Sequence, residues 1–368
     1  MTIFKKKYFF GFLSILTLSF LLVACGGGDD TSGEGSSEGS DSGSEASSDI
    51  EAQTWRFVTE EVKGQVQYEY AAEFAKRMKE KSDGKITIEP YEYGGLGSET
   101  DQVELLQNGG VEMAVMSPGF TGNMVKEGQI FALHFLFPDS VEKTQEILNT
   151  SEALNKDLVE RYEEYSITPL SFWTEGATQW TSSSPLEKPS DFENFKMRTQ
   201  TSPLIIKSYE AYGAEPTPMS WSELYTALDR GTVEGQENPI FFIGDASFNE
   251  VQDHMTISNH NNYVAMTTVN TEWYNGLPDN VKTLVDETVE EMQDWVYDEQ
   301  KEQNEKWLEK IKNDEEHPTE VVELTEEQRA AFKELALPVR DFYKKEVSTV
   351  DGAILEKLQK EIEDVTAE

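Results

Sequence analysis

The sequence predicts an α/β fold with crossover connections, built in two domains. Strand-like and helix-like segments alternate from Thr54 to Met116, and the alternation returns between Ile167 and Ile243. Residues 51–368 are long enough to bury two separate cores. "TWRFVTE" (54–60) reads as a strand. In "QVQYEYAAEFAKRMKEKS" Val66, Tyr70, Phe74 and Met78 recur every fourth residue, as on one face of a helix. "DGKITIEPYEYGG" adds a turn and an alternating strand, "SETDQVELLQNGG" a capped helix ending at Gly109 and Gly110, and "VEMAVMSPG" a short apolar strand. Ligands in such sheets sit at the carboxyl ends of strands, where "SPGFTG" (117–122) falls.

In the middle, "ITPLSFWTEG" (167–176), "ATQWTSSSP" (177–185) and "FKMRTQ" read as three strands. Helices are expected at "SPLIIKSYEAYG" and at "SELYTALDRG", the latter capped by Ser222 and closed by Gly231. From Pro278 to about Ile311 an apolar stripe (Val285, Val289, Met292, Val296, Ile311 among others) marks one unusually long helix. A charged helix near 325–345 and an amphipathic end, "GAILEKLQKEIEDV", complete the chain.

The N-terminus locates the protein. Lys5 to Lys7 precede an apolar run, Tyr8 to Val23, of signal-peptide length and short for a bilayer span of ~20 residues. It closes on "LVAC", with Cys25 the only cysteine. Residues 1–24 therefore read as a signal peptide and Cys25 as the acylated first residue of a lipoprotein, anchored to the outer face of the cell membrane. Residues 26–50 hold almost nothing apolar and are expected to be a disordered Ser/Gly/acidic tether. "GSSEG" (35–39) matches a serine-hydrolase motif only formally, because no strand or helix can flank it. With 70 acidic and 31 basic residues the net charge is −39, which argues against nucleic-acid binding.

Catalytic and metal motifs are not found. His134, His254, His260 and His317 are scattered, no H-E-x-x-H or Walker loop is present, and acids are too common for any pair to be informative. No catalytic residue, cofactor or metal is expected. What stands out is a binding pattern: Trp221, Tyr225, Asn238, Phe241 and Phe242 cluster among Pro and Gly turns, and Arg198 ends a short apolar strand. A guanidinium is a planar, permanently charged fork suited to a carboxylate, although a surface ion pair would use the same residue.

"FKMRT", "GAEPTPMSWSELYTALDRGTVEGQENP" and "FNEVQDHMTISNH" resemble the substrate-binding subunit of tripartite ATP-independent periplasmic (TRAP) transporters, over a span from about Trp55 to the C-terminus. The resemblance implies a two-lobed, periplasmic-binding-protein-like α/β fold. Two strands would cross between the lobes, and the long helix (278–312) would span both. On that plan lobe I takes residues 51–176 plus about 254–290, and lobe II takes 177–253 plus about 315–368. The resemblance further implies a receptor rather than an enzyme, delivering a small solute to the small and large permease subunits. Arg198 would pair with the ligand carboxylate and Asn238 would help hold it. Family members that bind sialic acid or dicarboxylates carry a second arginine on the preceding strand, where this chain has Thr178.

Within the family, "WRFVTEEVKG", "SPGFTG", "QIFALHFLFP", "KMRTQTSPL" and "ENPIFFI" most resemble the ectoine and hydroxyectoine branch. That implies a zwitterionic ligand, with a carboxylate for Arg198 and a cyclic amidinium for an acid and an aromatic box. The acid would be Glu60 or Glu61, with Glu61 preferred. Phe120 and Phe242 match box positions, and Trp173 and Trp221 are further candidates, although each aromatic by itself also suits core packing. A C4-dicarboxylate or a sugar acid is the alternative ligand. A secreted enzyme or an adhesive lipoprotein are the remote alternatives.

Overall fold

A computed structural model describes residues 50–367. The signal segment, Cys25 and residues 26–49 of the tether lie outside the described residues. In chain order the elements are β1 (Gln53–Val58), α1 (Val66–Lys81), β2 (Ile86–Tyr91), α2 (Glu99–Gln107), β3 (Met113–Met116), α3 (Pro118–Thr121), α4 (Val141–Thr150), α5 (Val159–Glu163) and β4 (Ile167–Ser182). There follow β5 (Arg198–Thr199), α6 (Pro203–Ala211), β6 (Thr217–Pro218), α7 (Trp221–Asp229), β7 (Gly235–Asn238), α8 (Ile240–Asp245) and β8 (His254–Asn270). The last are α9 (Thr271–Asn275), α10 (Asp279–Lys312), β9 (Glu320–Glu323), α11 (Glu326–Phe342) and α12 (Ala353–Ala367). No helix among the described residues is long and apolar enough to cross a membrane.

The main sheet runs β2-β1-β3-β8-β4-β7, with β9 also paired to β8. β1 and its neighbours β2 and β3 are parallel, joined by α1 and α2 as the sequence rhythm predicts. Two antiparallel strands, β4 and β8, link the ends of this sheet. The C-terminal part of β8 pairs with β3, its N-terminal part pairs with β9, and the C-terminal part of β4 pairs with β7. The two strands expected at 167–176 and 177–185 are thus one. The Gly that suggested a break, Gly176, lies between Thr174 and Ala177, where the β4–β8 register shifts. Its φ of +107° suits a residue without a side chain, and a Cβ there would stand 2.7 Å from Asn304 Nδ2. β8 escaped the sequence reading because its polar first half, "HMTISNHNN", lacks the β-branched and aromatic enrichment that marks a strand.

The long helix is where it was expected. Its first half packs Val285, Val289 and Met292 into a core with Phe57, Phe74 and Trp173, while Ile311 joins a second core with Leu224, Ile243 and Met255. Between them the buried face turns polar, at Gln300 and Gln303. In this stretch Asn304 donates to the Glu175 carbonyl (2.8 Å) and accepts from the Phe241 amide (3.2 Å), so the polar gap in the stripe is where β4 and α8 are held.

One expectation needs correction. The N-cap of α7 is Ser220, and Ser222 lies inside the first turn. Residues 126–158 pack against α6 and α12, and Asp139 and the Phe135 carbonyl meet Arg329 and Arg340 of α11. Phe131, Leu148 and Leu154 share a core with Trp180, Phe192, Tyr209 and Leu355, because apolar faces of segments distant in sequence cover one another there.

Candidate functional site

The carboxyl ends of β1, β3, β5 and β7 converge on two adjoining cavities. The smaller, about 270 Å³ of space between atoms, is lined by Glu60, Glu99, Phe120, Arg198, Gln200, Trp221, Asn238, Phe242 and Tyr263. The larger, about 540 Å³ by the same measure and partly open to solvent, shares Arg198, Gln200, Asn238 and Tyr263 and extends past Ser117, Thr178 and Glu237. Six of the eight residues proposed from the sequence therefore line one space: Arg198, Asn238, Glu60, Phe120, Phe242 and Trp221.

Arg198 is buried, 3% exposed, at the start of β5. Its Nη2 donates to the Met219 carbonyl (3.0 Å), Nε has no partner, and no ion pair is formed with any acid among the described residues. Burial lowers its pKa from the ordinary 12.5, opposed by the nearby Tyr263, Glu99 and Glu237, and a guanidinium so placed keeps its charge. A buried cation with a free donor is costly unless something anionic completes it, by ~1–3 kcal/mol for one unmade hydrogen bond. Arg198 is also the only lysine or arginine lining either cavity. Thr178, where a second arginine would lie, is uncharged and bonds the Asn261 carbonyl (3.3 Å). Asn238 ends β7, and its amide donates to Gln236.

The wall opposite polar groups is aromatic. Trp221 at the start of α7 meets Phe242 of α8 edge-on (centroids 4.9 Å apart), and Phe242 is 5.9 Å from Tyr263. Phe120 comes from α3, where Gly119 allows close approach of Gln200: a Cβ at 119 would lie 1.7 Å from Gln200 Oε1. Gln200 in turn donates to the Tyr263 hydroxyl (3.0 Å).

Of the two candidate acids, Glu60 lines the cavity and Glu61, the preferred one, does not. Glu60 Oε2 accepts from the Ser117 amide (3.1 Å) while Oε1 is unpartnered. Burial pushes its carboxyl well above the usual 4.5, and the Glu99 charge pushes it further. Glu61 turns away into the fold: Oε2 accepts from the Gln67 amide (2.6 Å), and its carboxyl lies beside that of Glu175. Gln67 arranges all three acids, its Oε1 accepting from the Glu60 amide (3.0 Å) and its Nε2 donating to Glu175 (2.8 Å). Two buried carboxyls side by side disfavour carrying both charges. Burial accordingly raises Glu175 to about 7 and Glu61 well above its ordinary value. Trp173 is likewise off the cavity. It is fully buried, stacked on Tyr70 at 5.0 Å and 15°, and its indole N–H donates to Thr267 (3.1 Å).

Among the histidines, His134 and His260 meet with Glu237, a grouping scattered in sequence and invisible there. His260 Nε2 lies 2.6 Å from Glu237 Oε2, closer than the ~3.3 Å between two donors on one tetrahedral ion, so the contact is a hydrogen bond. Burial would raise Glu237, but His260 and Tyr209 (2.7 Å) hold it down to about 2, a fixed anion beside the larger cavity. Glu99, Gln200, Tyr263 and Glu237 are the lining residues that sequence reasoning missed. Glu99 read only as part of a helix cap, Gln200 and Glu237 lie within the segments "KMRTQTSPL" and "ENPIFFI" without being singled out there, and Tyr263 falls in no quoted motif.

A charged, aromatic-walled space at strand ends, joined across two long connecting strands, defines a solute-binding protein. The chain belongs to the bacterial extracellular solute-binding protein family 7 (DctP), whose model matches residues 57–346. It is 33% identical over 317 residues to the ectoine-binding periplasmic protein TeaA of Halomonas elongata, covering 86% of this chain and 92% of that protein. The solved structure of that protein, from a TRAP transporter, matches with a TM-score of 0.82 over 85% of this chain and 100% of the other. The ectoine/5-hydroxyectoine-binding UehA of Ruegeria pomeroyi is 32% identical over 312 residues (85% and 91% covered). The C4-dicarboxylate-binding DctP of Rhodobacter capsulatus is 35% identical over 272 residues (74% and 80%). The protein is accordingly an extracytoplasmic TRAP solute receptor that works with permease subunits, and not an enzyme. Its fold is the expected one of two α/β lobes and a long helix.

Proposed function

We propose that the solute is a small zwitterion of the ectoine type, with its carboxylate on Arg198 and Asn238 and its amidinium at Glu60 between Phe120, Trp221 and Phe242. One observation carries the reading: the single buried cation of the cavity has no acid paired with it, while an acid with a free oxygen lines the same small space. Such a cavity supplies one charge of each sign, and aromatic faces hold a cation well. The names of two relatives support the same ligand class. Calorimetry with ectoine and succinate side by side should show tighter ectoine binding. If succinate binds more tightly, the zwitterion assignment is wrong. The dicarboxylate reading is the second choice, favoured by the raised pKa of Glu60, because a protonated acid can donate to a second carboxylate.

Our reading of the chain's start is that the receptor is a lipoprotein held at the outer membrane face by Cys25, following a signal peptide at 1–24. The lobe boundary then falls before residue 126, so that 126–158 belong with lobe II. Membrane fractionation of cells expressing Cys25→Ala should recover the receptor in the soluble fraction. Recovery with the membranes would show that Cys25 is not the anchor.

A further inference from the structure

We propose that Glu99 is a second recognition acid: with Glu60 it offers two buried carboxyls to the ligand's cation, and binding of that cation expels a proton held at this end of the cavity. The inference rests on the zwitterion reading above and adds the partner and the proton to it. Glu99 opens α2, where the Ser98 cap fixes the first turn, and it is 2% exposed. Its Oε1 accepts from the Trp221 amide (3.1 Å), which ties α2 to the start of α7 across the aromatic wall. Its Oε2 makes no hydrogen bond among the described residues, and Glu60 Oε1 is buried and unpartnered. Neither carboxyl has a lysine or arginine bridged to it among the described residues.

The groups facing Glu60 are all acidic or neutral: Glu61 beside it in sequence, Glu99 on α2, Glu175 on β4, Tyr162 on α5 and Tyr263 on β8. Arg198 faces Glu99 from β5. Glu60, buried and faced by acids, keeps its proton in the free receptor. A planar amidinium with N–H donors on two sides can satisfy both acids at once. Its positive charge displaces the proton, which leaves to solvent. Affinity for such a ligand therefore rises with pH. A dicarboxylate reverses the sign, since its second carboxylate needs the proton retained or added.

The test is calorimetry of wild type, Glu99→Gln and Glu99→Asp with ectoine, succinate and the uncharged-ring acid pyroglutamate. Each titration is run near neutral pH in two buffers of different ionisation enthalpy, with folding checked by circular dichroism. Wild type should release protons on binding ectoine, with affinity rising as the pH rises. Glu99→Gln should weaken ectoine about tenfold or more, reduce the proton release and leave pyroglutamate unweakened. Glu99→Asp should retain the release with intermediate affinity. If Glu99→Gln binds ectoine like wild type with the same proton release, Glu99 merely ties Trp221 in place and the proposal falls, while the zwitterion reading stands. If wild type prefers succinate and takes up protons, the zwitterion reading itself falls and this inference with it.

Discussion

Arg198→Ala should weaken binding of the carboxylate solute by about thirtyfold to several thousandfold. The variant would leave the ligand's carboxylate in a buried cavity with Asn238 as its remaining designated partner. Truncating one side of a buried, hydrogen-bonded charge pair costs about 2–5 kcal/mol, and each ~1.4 kcal/mol is about tenfold. Arg198→Lys should also bind poorly, since an ammonium keeps the charge but not the planar fork. An exposed arginine would behave otherwise, because surface ion pairs contribute ~0–1 kcal/mol. At 3% exposure, with an unpartnered Nε, Arg198 is not in that situation. Isothermal titration of the folded variants decides it. A loss smaller than about fivefold, under ~1 kcal/mol, would take Arg198 out of the site.

Trp173→Ala should destabilise the receptor by about 3–5 kcal/mol, as expected for emptying the place of a fully buried large aromatic. The indole stacks on Tyr70, which in turn stacks on Phe74 (6.3 Å), so the cavity would open between β4 and α1 and leave Thr267 without its donor. The urea midpoint of unfolding should fall accordingly. Under conditions where the variant is folded, its affinity should stay within about threefold of wild type, a change under ~1 kcal/mol. Collapse of binding at unchanged stability would instead place Trp173 among the ligand contacts. This variant and Arg198→Ala are opposites: one tests a buried core residue as a contact, the other tests a proposed contact against the reading of a surface cation.

Glu61 and Trp173, which do not line the cavities, show where sequence reading stopped. Glu60 and Glu61 are adjacent at the end of β1, and nothing local distinguishes them. Their directions are set by Gln67 on α1, whose backbone and side chain engage Glu61, Glu175 and the Glu60 amide together. Trp173 lies on β4, three residues before the kink at Gly176, and faces Tyr70 and the core beneath α1. The two aromatics from the segments after strands, Phe120 and Phe242, do reach the cavity. Glu99 was hidden by its own local role, because an acid after a serine cap is explained well enough by the helix start.

From the chain alone came the alternation of strands and helices, the long helix at 278–312 and the family, because hydrophobic period and turn residues are local properties that survive without coordinates. The same holds for the identity of the key cation, since Arg198 stands in a recognisable segment and cations are scarce. Tertiary structure decided which acids and aromatics share a space with it, that β4 and β8 each run unbroken between the sheet's two ends, and that residues 126–158 pack with α11 and α12. Those outcomes depend on contacts between segments as much as 222 residues apart. A side chain's direction, its burial and the proton it keeps follow from such neighbours, and no local pattern encodes them.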